Sequence, residues 1–192
     1  MATRSFPPIY VLRHGETTWN AEGRMQGRLN SPLTDKGIEQ AIRQQHLLAS
    51  QDLDDFVACS SPQGRAYQTA TLAVAGLIDR IETDDRLTEI DVGQFQGRLR
   101  SEIAEENPDI FGQQLLGWYD KAPGGEGFAG LEARCRAFLD QVDGPTIVVT
   151  HGVTSRFLRS ILLSDDISLV SDLPGGQGVV HRVIDGRHDT LD

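Results

Sequence analysis

The chain has 192 residues, 39% hydrophobic and 24% charged, the make-up of one soluble globular domain with a sizeable core rather than a disordered segment or two full domains. A formal net charge of −10 and a pI near 4.9 argue against nonspecific binding to nucleic acid or an anionic membrane, but leave room for a small anionic substrate in a locally cationic pocket. Cys59 and Cys135 are too few for a disulfide framework or a zinc site and read as buried free thiols. No run approaches the length of a membrane span and no signal-peptide core is seen, so a cytoplasmic location is expected.

In chain order, Ile9-Tyr10-Val11-Leu12 is an apolar strand between Pro7-Pro8 and Gly15. Being apolar on both faces, it belongs inside a sheet covered by helices on both sides. A polar loop over 15–33 follows, then Thr34 caps a helix over 35–50 with Ile38, Ala41, Ile42, Gln45 and Leu48 near helical spacing. Phe56 to Cys59 reads as a second buried strand, a parallel neighbour for the first, and leads through Ser60-Ser61-Pro62 into a helix over 63–77. A short strand near Ile81 precedes an irregular loop, LTEIDVGQFQG, at 87–97. Residues 98–127 hold one or two helices and fit an insertion covering the active end of the sheet. A helix over 132–142, the buried strand Thr146 to Thr150, a helix over 155–163 and a final strand over 179–184 complete the pattern, with Asp185-Gly186 as a turn signal. Alternating strands and helices imply an α/β fold, with helices flanking a mostly parallel central sheet in a single domain over 1–192.

Two of the buried strands end alike, in VLRHG at 11–15 and VVTHG at 148–152, each placing a histidine and then a glycine at a carboxyl end. Open α/β sheets bind ligands outside those ends, and glycine allows close backbone approach there. Arg65 falls in the first turn of the helix after the second strand, where backbone N–H groups already favour an anion. Neighbouring strands would converge Arg13, His14, Arg65 and His151 on one pocket, and a tetrahedral phosphoryl group suits such a cluster. The arginines should lower the pKa of His14 and keep one ring nitrogen nucleophilic near neutral pH. Glu89, in a Gly-bounded loop, is the candidate acid for the leaving oxygen.

Arg13-His14-Gly15-Glu16-Thr17, with Trp19-Asn20 behind it, resembles the signature of the histidine phosphatase (phosphoglycerate mutase-like) superfamily. SSPQGRAYQTA at 60–70, LTEIDVGQFQG at 87–97 and VTHG at 149–152 follow in the order that the family shows. The resemblance implies the phosphoglycerate mutase-like three-layer sandwich. It also implies that His14 becomes a phosphohistidine and Glu89 is the proton donor. Arg13, Arg65 and His151 would clamp the phosphoryl group, with Gly152 beside them and Asn20 reaching into the same pocket. No metal or cofactor is implied, and the chain has no HExxH or cysteine cluster.

Within the family, RMQGRLNSPLT at 24–34 resembles the small broad-specificity and α-ribazole phosphatases, which makes Gln26 and Gly27 candidates for substrate contact. Glycolytic mutases usually carry Thr-Gly there and are longer. The expected activity is therefore hydrolysis of a small phosphomonoester, with mutase-type transfer and a catalytically idle scaffold as the alternatives. Two departures bear on substrate choice: HGVTSR at 151–156 where relatives often read HGGVIR, and Gly124-Gly125-Glu126-Gly127 where they often read GGES.

Other features invite blander readings. His46, His181 and His188 are most simply structural or solvent-exposed, and the GxGxxG at 125–130 follows no strand. Trp19 and Phe95 could line a substrate mouth, Glu16 could hold an arginine, and Arg24 and Arg28 could meet a distal anionic group. Nothing in the sequence points to a particular oligomeric state.

Overall fold

Strand β1, Ile9–Arg13, lies in the middle of a six-stranded sheet, and its alternating side chains enter two separate cores. The structure, a computed structural model, describes residues 6–111 and 116–192. The remaining strands are β2 (Val57–Ser60), β3 (Ile81–Thr83), β4 (Thr146–Thr150), β5 (Val180–Ile184) and β6 (Arg187–Leu191), in the order β3-β2-β4-β1-β5-β6. The first four in that order run parallel, and β5 is antiparallel to both of its neighbours. This is the expected α/β sandwich with a mostly parallel sheet, with one correction. β4, not β2, is the parallel neighbour of β1, because the chain returns from the far end to insert β4 between them.

The helices are α1 (Thr18–Glu22), α2 (Asp35–Ala49), α3 (Gly64–Ala73), α4 (Arg100–Glu106), α5 (Pro108–Phe111), α6 (Gly117–Asp120), α7 (Gly127–Leu139) and α8 (Gly152–Ser164). Tyr10, Leu12, Ile147 and Val149 pack on the small residues Ala70 and Ala73 of α3 and on Leu48 of α2. On the opposite face Ile9, Val11 and Val148 meet Leu131 and Phe138 of α7 and Phe157 and Ile161 of α8. All five residues of β4 are buried, and each large aliphatic side chain so enclosed contributes about 1.5–3 kcal/mol to the folded state. Among the described residues, no helix is long and apolar enough to cross a membrane.

Differences from the sequence reading are local. α1 forms inside the stretch read as loop, because Thr17 and Asn20 make a reciprocal capping box and Gly23 ends the helix at φ 70°. The buried face of α2 is Gly37, Ala41, Gln44 and Leu48, whereas Ile42 is exposed. α7 starts at Gly127 rather than Glu132, and the Asp120 carboxylate accepts the Phe128 N–H at 2.6 Å, so the GxGxxG stretch is a helix start already capped by a side chain. β6 pairs with β5 through Asp185-Gly186, both with positive φ, so His188 lies in a strand rather than a tail. His181 is buried, and His188 accepts a hydrogen bond from the buried Arg159. Of the segment 98–127, residues 112–115 lie outside the described residues.

Gly15 does not admit a ligand, as the sequence suggested, but admits α2. A Cβ built on it would lie 2.1 Å from the Gly37 carbonyl oxygen, and one on Gly37 would lie 2.0 Å from the Glu16 carbonyl oxygen. Two backbones therefore touch directly behind His14. Gly15→Ala and Gly37→Ala are each expected to cost about 1–3 kcal/mol of stability by urea unfolding, since neither backbone can yield cheaply. Gly144→Ala, whose Cβ would meet open space, is expected to stay within about 0.5 kcal/mol of the parent. Equal effects at all three positions would refute the close-packing account.

Candidate active site

The sheet order lines up the carboxyl ends of three parallel strands. Arg13 stands opposite Thr150 and Ser60 opposite Val149, so His14, His151 and Ser61 emerge side by side. The His14 and His151 rings meet edge-on with centroids 5.2 Å apart. Arg65, on the first turn of α3, reaches the first of them, its Nε–H donating to His14 Nε2 at 3.2 Å. Arg13, His14, Asn20, Gln26, Gly27, Arg65 and Glu89 all line one open cleft of about 160 Å³, whereas His151 lies buried beside His14 and, like Gly152, does not line it.

The tautomer of His14 follows from its contacts. Nδ1 is 2.7 Å from the Gly15 carbonyl oxygen, which only accepts, so Nδ1 carries the hydrogen and Nε2 carries the lone pair. Burial, and after it the charges of Arg65 and Arg13, hold the His14 pKa well below 6.5. His151 is shifted the same way, by burial first and then by Arg65 and His14. The sequence anticipated the direction of the His14 shift but ranked the arginines as its cause. Two neutral imidazoles also remove most of the repulsion expected of the cluster, with or without a bound anion.

Arg65 is 1% exposed yet, among the described residues, meets no carboxylate within hydrogen-bonding distance: its guanidinium donates to the Leu29 and Gly27 carbonyl oxygens at 2.7 and 3.0 Å as well as to His14. Burial lowers its pKa to about 10, and Arg13 adds to the shift while Glu89 opposes it. Arg13 Nε and His151 Nδ1 are buried without a hydrogen-bond partner among the described residues. Unpaired donors and acceptors of this kind are costly unless a ligand completes them. Gly152 leaves room for Arg13, since a Cβ there would sit 3.4 Å from the guanidinium carbon. Asn20 Oδ1 accepts from the Thr17 N–H and from Gln177 Nε2, which fixes the orientation of its amide at the cleft.

Glu89 lies at the start of α8. Its Oε2 accepts from the Val153 N–H at 3.2 Å, and its Oε1 from the Ile90 and Thr154 N–H groups at 3.0 and 3.2 Å. The HGVTSR departure therefore touches the candidate acid directly rather than narrowing the pocket floor. The second departure lies elsewhere: Glu126 pairs with Arg134 at 2.9 Å and Arg28 at 3.3 Å and accepts the Asp91 N–H at 2.8 Å, holding α7 against the 88–97 loop.

Several sequence candidates settle into structural roles. Phe95 is core, Glu16 pairs with Lys36 rather than an arginine, and Arg28 is tied to Glu126. Arg24 lines the cleft but is held by Glu22 and by the Gly97 carbonyl. Trp19 is covered by the Arg24 guanidinium at 5.7 Å. Other contributors were missed. Arg100 and Tyr119 of the 98–127 segment line the cleft, Ser61 Oγ sits 2.8 Å from His151 Nε2, and Gln44 donates to the Arg13 and Val179 carbonyls. Gln44 had a signal, its i+3 and i−4 spacing to Ala41 and Leu48, and Ser61 had another in its place directly after a strand. Both cysteines are free, and burial pushes each thiol up to about 12, although Cys59 is only half-buried.

Known proteins resemble this chain in sequence and fold. A protein of Salmonella choleraesuis named "Probable phosphoglycerate mutase GpmB" is 35% identical over 162 residues, which is 81% of this chain and 74% of that one. Among solved structures, Bacillus stearothermophilus YhfR is 31% identical with a TM-score of 0.77, covering 95% of this chain and 94% of its own. A mycobacterial glucosyl-3-phosphoglycerate phosphatase is 28% identical with a TM-score of 0.77, covering 92% of each chain. The α-ribazole phosphatase from Shigella flexneri is 25% identical with a TM-score of 0.76, covering 91% of this chain and 89% of its own. The family model for the histidine phosphatase superfamily (branch 1) matches residues 9–189, and this chain belongs to that family as an enzyme of the phosphatase type.

Proposed function

We propose that the protein is a metal-independent phosphomonoesterase that hydrolyses a small phosphorylated metabolite through a phosphohistidine on His14. The observation that carries this reading is the lone pair on His14 Nε2, set by the Nδ1 contact to Gly15 and surrounded by Arg13, Arg65 and His151. In the first step Nε2 attacks phosphorus in line, the bond from phosphorus to the ester oxygen breaks, and Glu89 gives its proton to the leaving alcohol. Arg13, Arg65, His151, Asn20 and the Gly152 backbone hold the phosphoryl oxygens. A phosphoryl oxygen takes over the Arg65 Nε–H that otherwise meets Nε2, which frees the lone pair as the substrate arrives. In the second step water attacks phosphorus, Glu89 accepts its proton, and the P–N bond breaks to return the lone pair to Nε2. Positioning and charge neutralisation supply most of the rate in such transfers.

The whole chain acts here as one domain, with 98–127 as its covering insertion and Gln26 and Gly27 meeting the rest of the substrate. Free, high-pKa cysteines suit a cytoplasmic setting, and a net charge of −10 suits a small-molecule rather than a nucleic-acid partner. The 35% identity to a protein named for phosphoglycerate mutase supports a second reading, transfer of the phosphoryl group back to a monophosphate.

A panel of phosphomonoesters assayed in EDTA tests the reading. Wild type is expected to turn over and to yield an acid-labile phosphoprotein on quenching, while His14→Ala loses at least about 10³-fold and traps none. Activity abolished by EDTA, or retained by His14→Ala, would overturn it, and transfer seen only with a bisphosphate primer would establish the mutase instead.

The depressed pKa of His14 sets a second expectation. Its neutral form, the nucleophile, persists as the pH falls through 6.5, so the acid limb belonging to His14 lies below 6.5. Long-range 1H–15N NMR of the imidazole is expected to show the Nδ1–H tautomer at pH 6.5 and a titration midpoint below it. A midpoint at or above 6.5, or an Nε2–H tautomer, would contradict the proposed nucleophile.

A further inference from the structure

Among the described residues, the groups hydrogen-bonded to the Glu89 carboxylate can only donate to it, with one exception. The Ile90, Val153 and Thr154 N–H groups can only donate, yet a carboxyl that carries a proton also needs a partner that accepts from it. The exception is the hydroxyl of Thr154, whose Oγ1 is 3.1 Å from Glu89 Oε1 and 2.8 Å from the Thr88 carbonyl oxygen. Thr154 is fully buried and Thr88 nearly so, which keeps water from substituting for either contact. A hydroxyl has one hydrogen and two lone pairs, and the Thr88 carbonyl can only accept. When that hydrogen goes to Thr88, the nearer partner, an Oγ1 lone pair faces Glu89 and can accept from a protonated carboxyl.

We propose that Thr154 is a positioning residue for the catalytic proton: its hydroxyl accepts a hydrogen bond from the resting Glu89 carboxyl while donating to Thr88, the carboxyl O–H turns from Oγ1 to the ester oxygen and gives its proton there as the bond to phosphorus breaks, and the Thr154 hydroxyl then turns to donate to the carboxylate left behind. The inference rests on the reading of Glu89 as proton donor. A single rotor thus gives Glu89 a partner in both steps of the reaction, with no movement of backbone. It also assigns a purpose to the HGVTSR departure, which places a hydroxyl where an aliphatic side chain is common. Arg65 from α3, Arg156 from α8, Tyr119 from α6 and Cys135 from α7 also act electrostatically on Glu89, and Arg13 and His14 share its cleft. None of them changes in a variant that removes only the hydroxyl.

The test is the rate of phosphoenzyme formation in single turnover, across pH, from an alkyl phosphate and from a nitrophenyl phosphate. Wild type, Thr154→Val, Thr154→Ser and Glu89→Gln are compared, each first shown to unfold cooperatively on heating. The nitrophenyl leaving group needs little protonation, so it reports everything except the acid. Thr154→Val is expected to slow the alkyl ester about three- to tenfold, the worth of one hydrogen bond. Its alkaline limb should move about 0.5–1 pH unit lower. Its KM and its rate with the nitrophenyl ester should stay close to wild type, and Thr154→Ser should restore both the rate and the limb. Equal slowing of both esters with an unmoved limb would reduce Thr154 to a packing residue and overturn the proposal, as would failure of the serine to rescue. Glu89→Gln is expected to lose about 10²–10⁴-fold with the alkyl ester. If it loses nothing, the reading of Glu89 itself fails. If it loses activity while Thr154→Val does not, only the role of Thr154 fails.

Discussion

The parallel pairing of β1 with β4 is the contact on which the site depends. It sets Arg13 against Thr150, so the two histidines that follow leave the sheet at the same level. A slip of one residue would send Tyr10 and Leu12 to the face crowded by Phe138 and Phe157, and would put Ile9 and Val11 over the small residues of α3. The register is thus held by two differently shaped cores, and the site inherits that accuracy. The same strand end also places Glu89, because Thr150 Oγ1 donates to the Leu87 carbonyl at 2.6 Å and pins the loop from which Glu89 projects.

Burial does most of the electrostatic work. A neutral imidazole at the end of a strand is expensive to charge when water is excluded, and the neighbouring arginines raise that cost. Arg65 cannot shed its charge as readily, so carbonyl oxygens at 27 and 29 compensate it instead of a carboxylate. A carboxylate in that position would neutralise the guanidinium before a phosphoryl group could. Carbonyls satisfy its N–H groups while leaving its net positive charge for a ligand, and so the Gly27–Leu29 stretch helps to determine what the cleft attracts.

Much of this was legible in the sequence because the chemistry sits where strands end. RHG, THG and the SSPQGR turn are contiguous, and each announces its place through an apolar run followed by glycine or proline. The α/β class and the cluster of Arg13, His14, Arg65 and His151 follow from those runs alone. The insertion of β4 between β1 and β2 could not be read, because either order of parallel strands satisfies the same pattern. α1 was hidden because its stability comes from the cap formed by Thr17 and Asn20 and not from apolar periodicity. Gly15 was misread for a related reason: a glycine states that something approaches closely, and only the fold says that here it is Gly37. Tyr119, Arg100 and Gln177 reach the site from segments with no pattern of their own.

The division of labour between sheet and insertion bears on how one scaffold can serve relatives with different names. The groups proposed to face the phosphoryl oxygens come, apart from Asn20 on α1, from the strand ends and the first turns of α3 and α8, where packing on both faces of the sheet fixes them. Groups able to meet the rest of a substrate, Met25, Gln26, Arg100 and Tyr119, come from loops and short helices at the cleft mouth. Arg100 lies over the Phe111 and Trp118 rings at 5.6 and 5.9 Å, so its position is governed by packing within the insertion and not by the sheet. Changes in that region can therefore alter which ester enters without disturbing the clamp. In the proposed reaction hydrolysis and mutase-type transfer share every step up to the phosphohistidine and separate only in which oxygen attacks next. That choice belongs to whatever occupies the mouth while phosphorus is on His14. On the proposed reading the phosphoryl clamp fixes the chemistry, and the residues at the cleft mouth govern which acceptor can reach it.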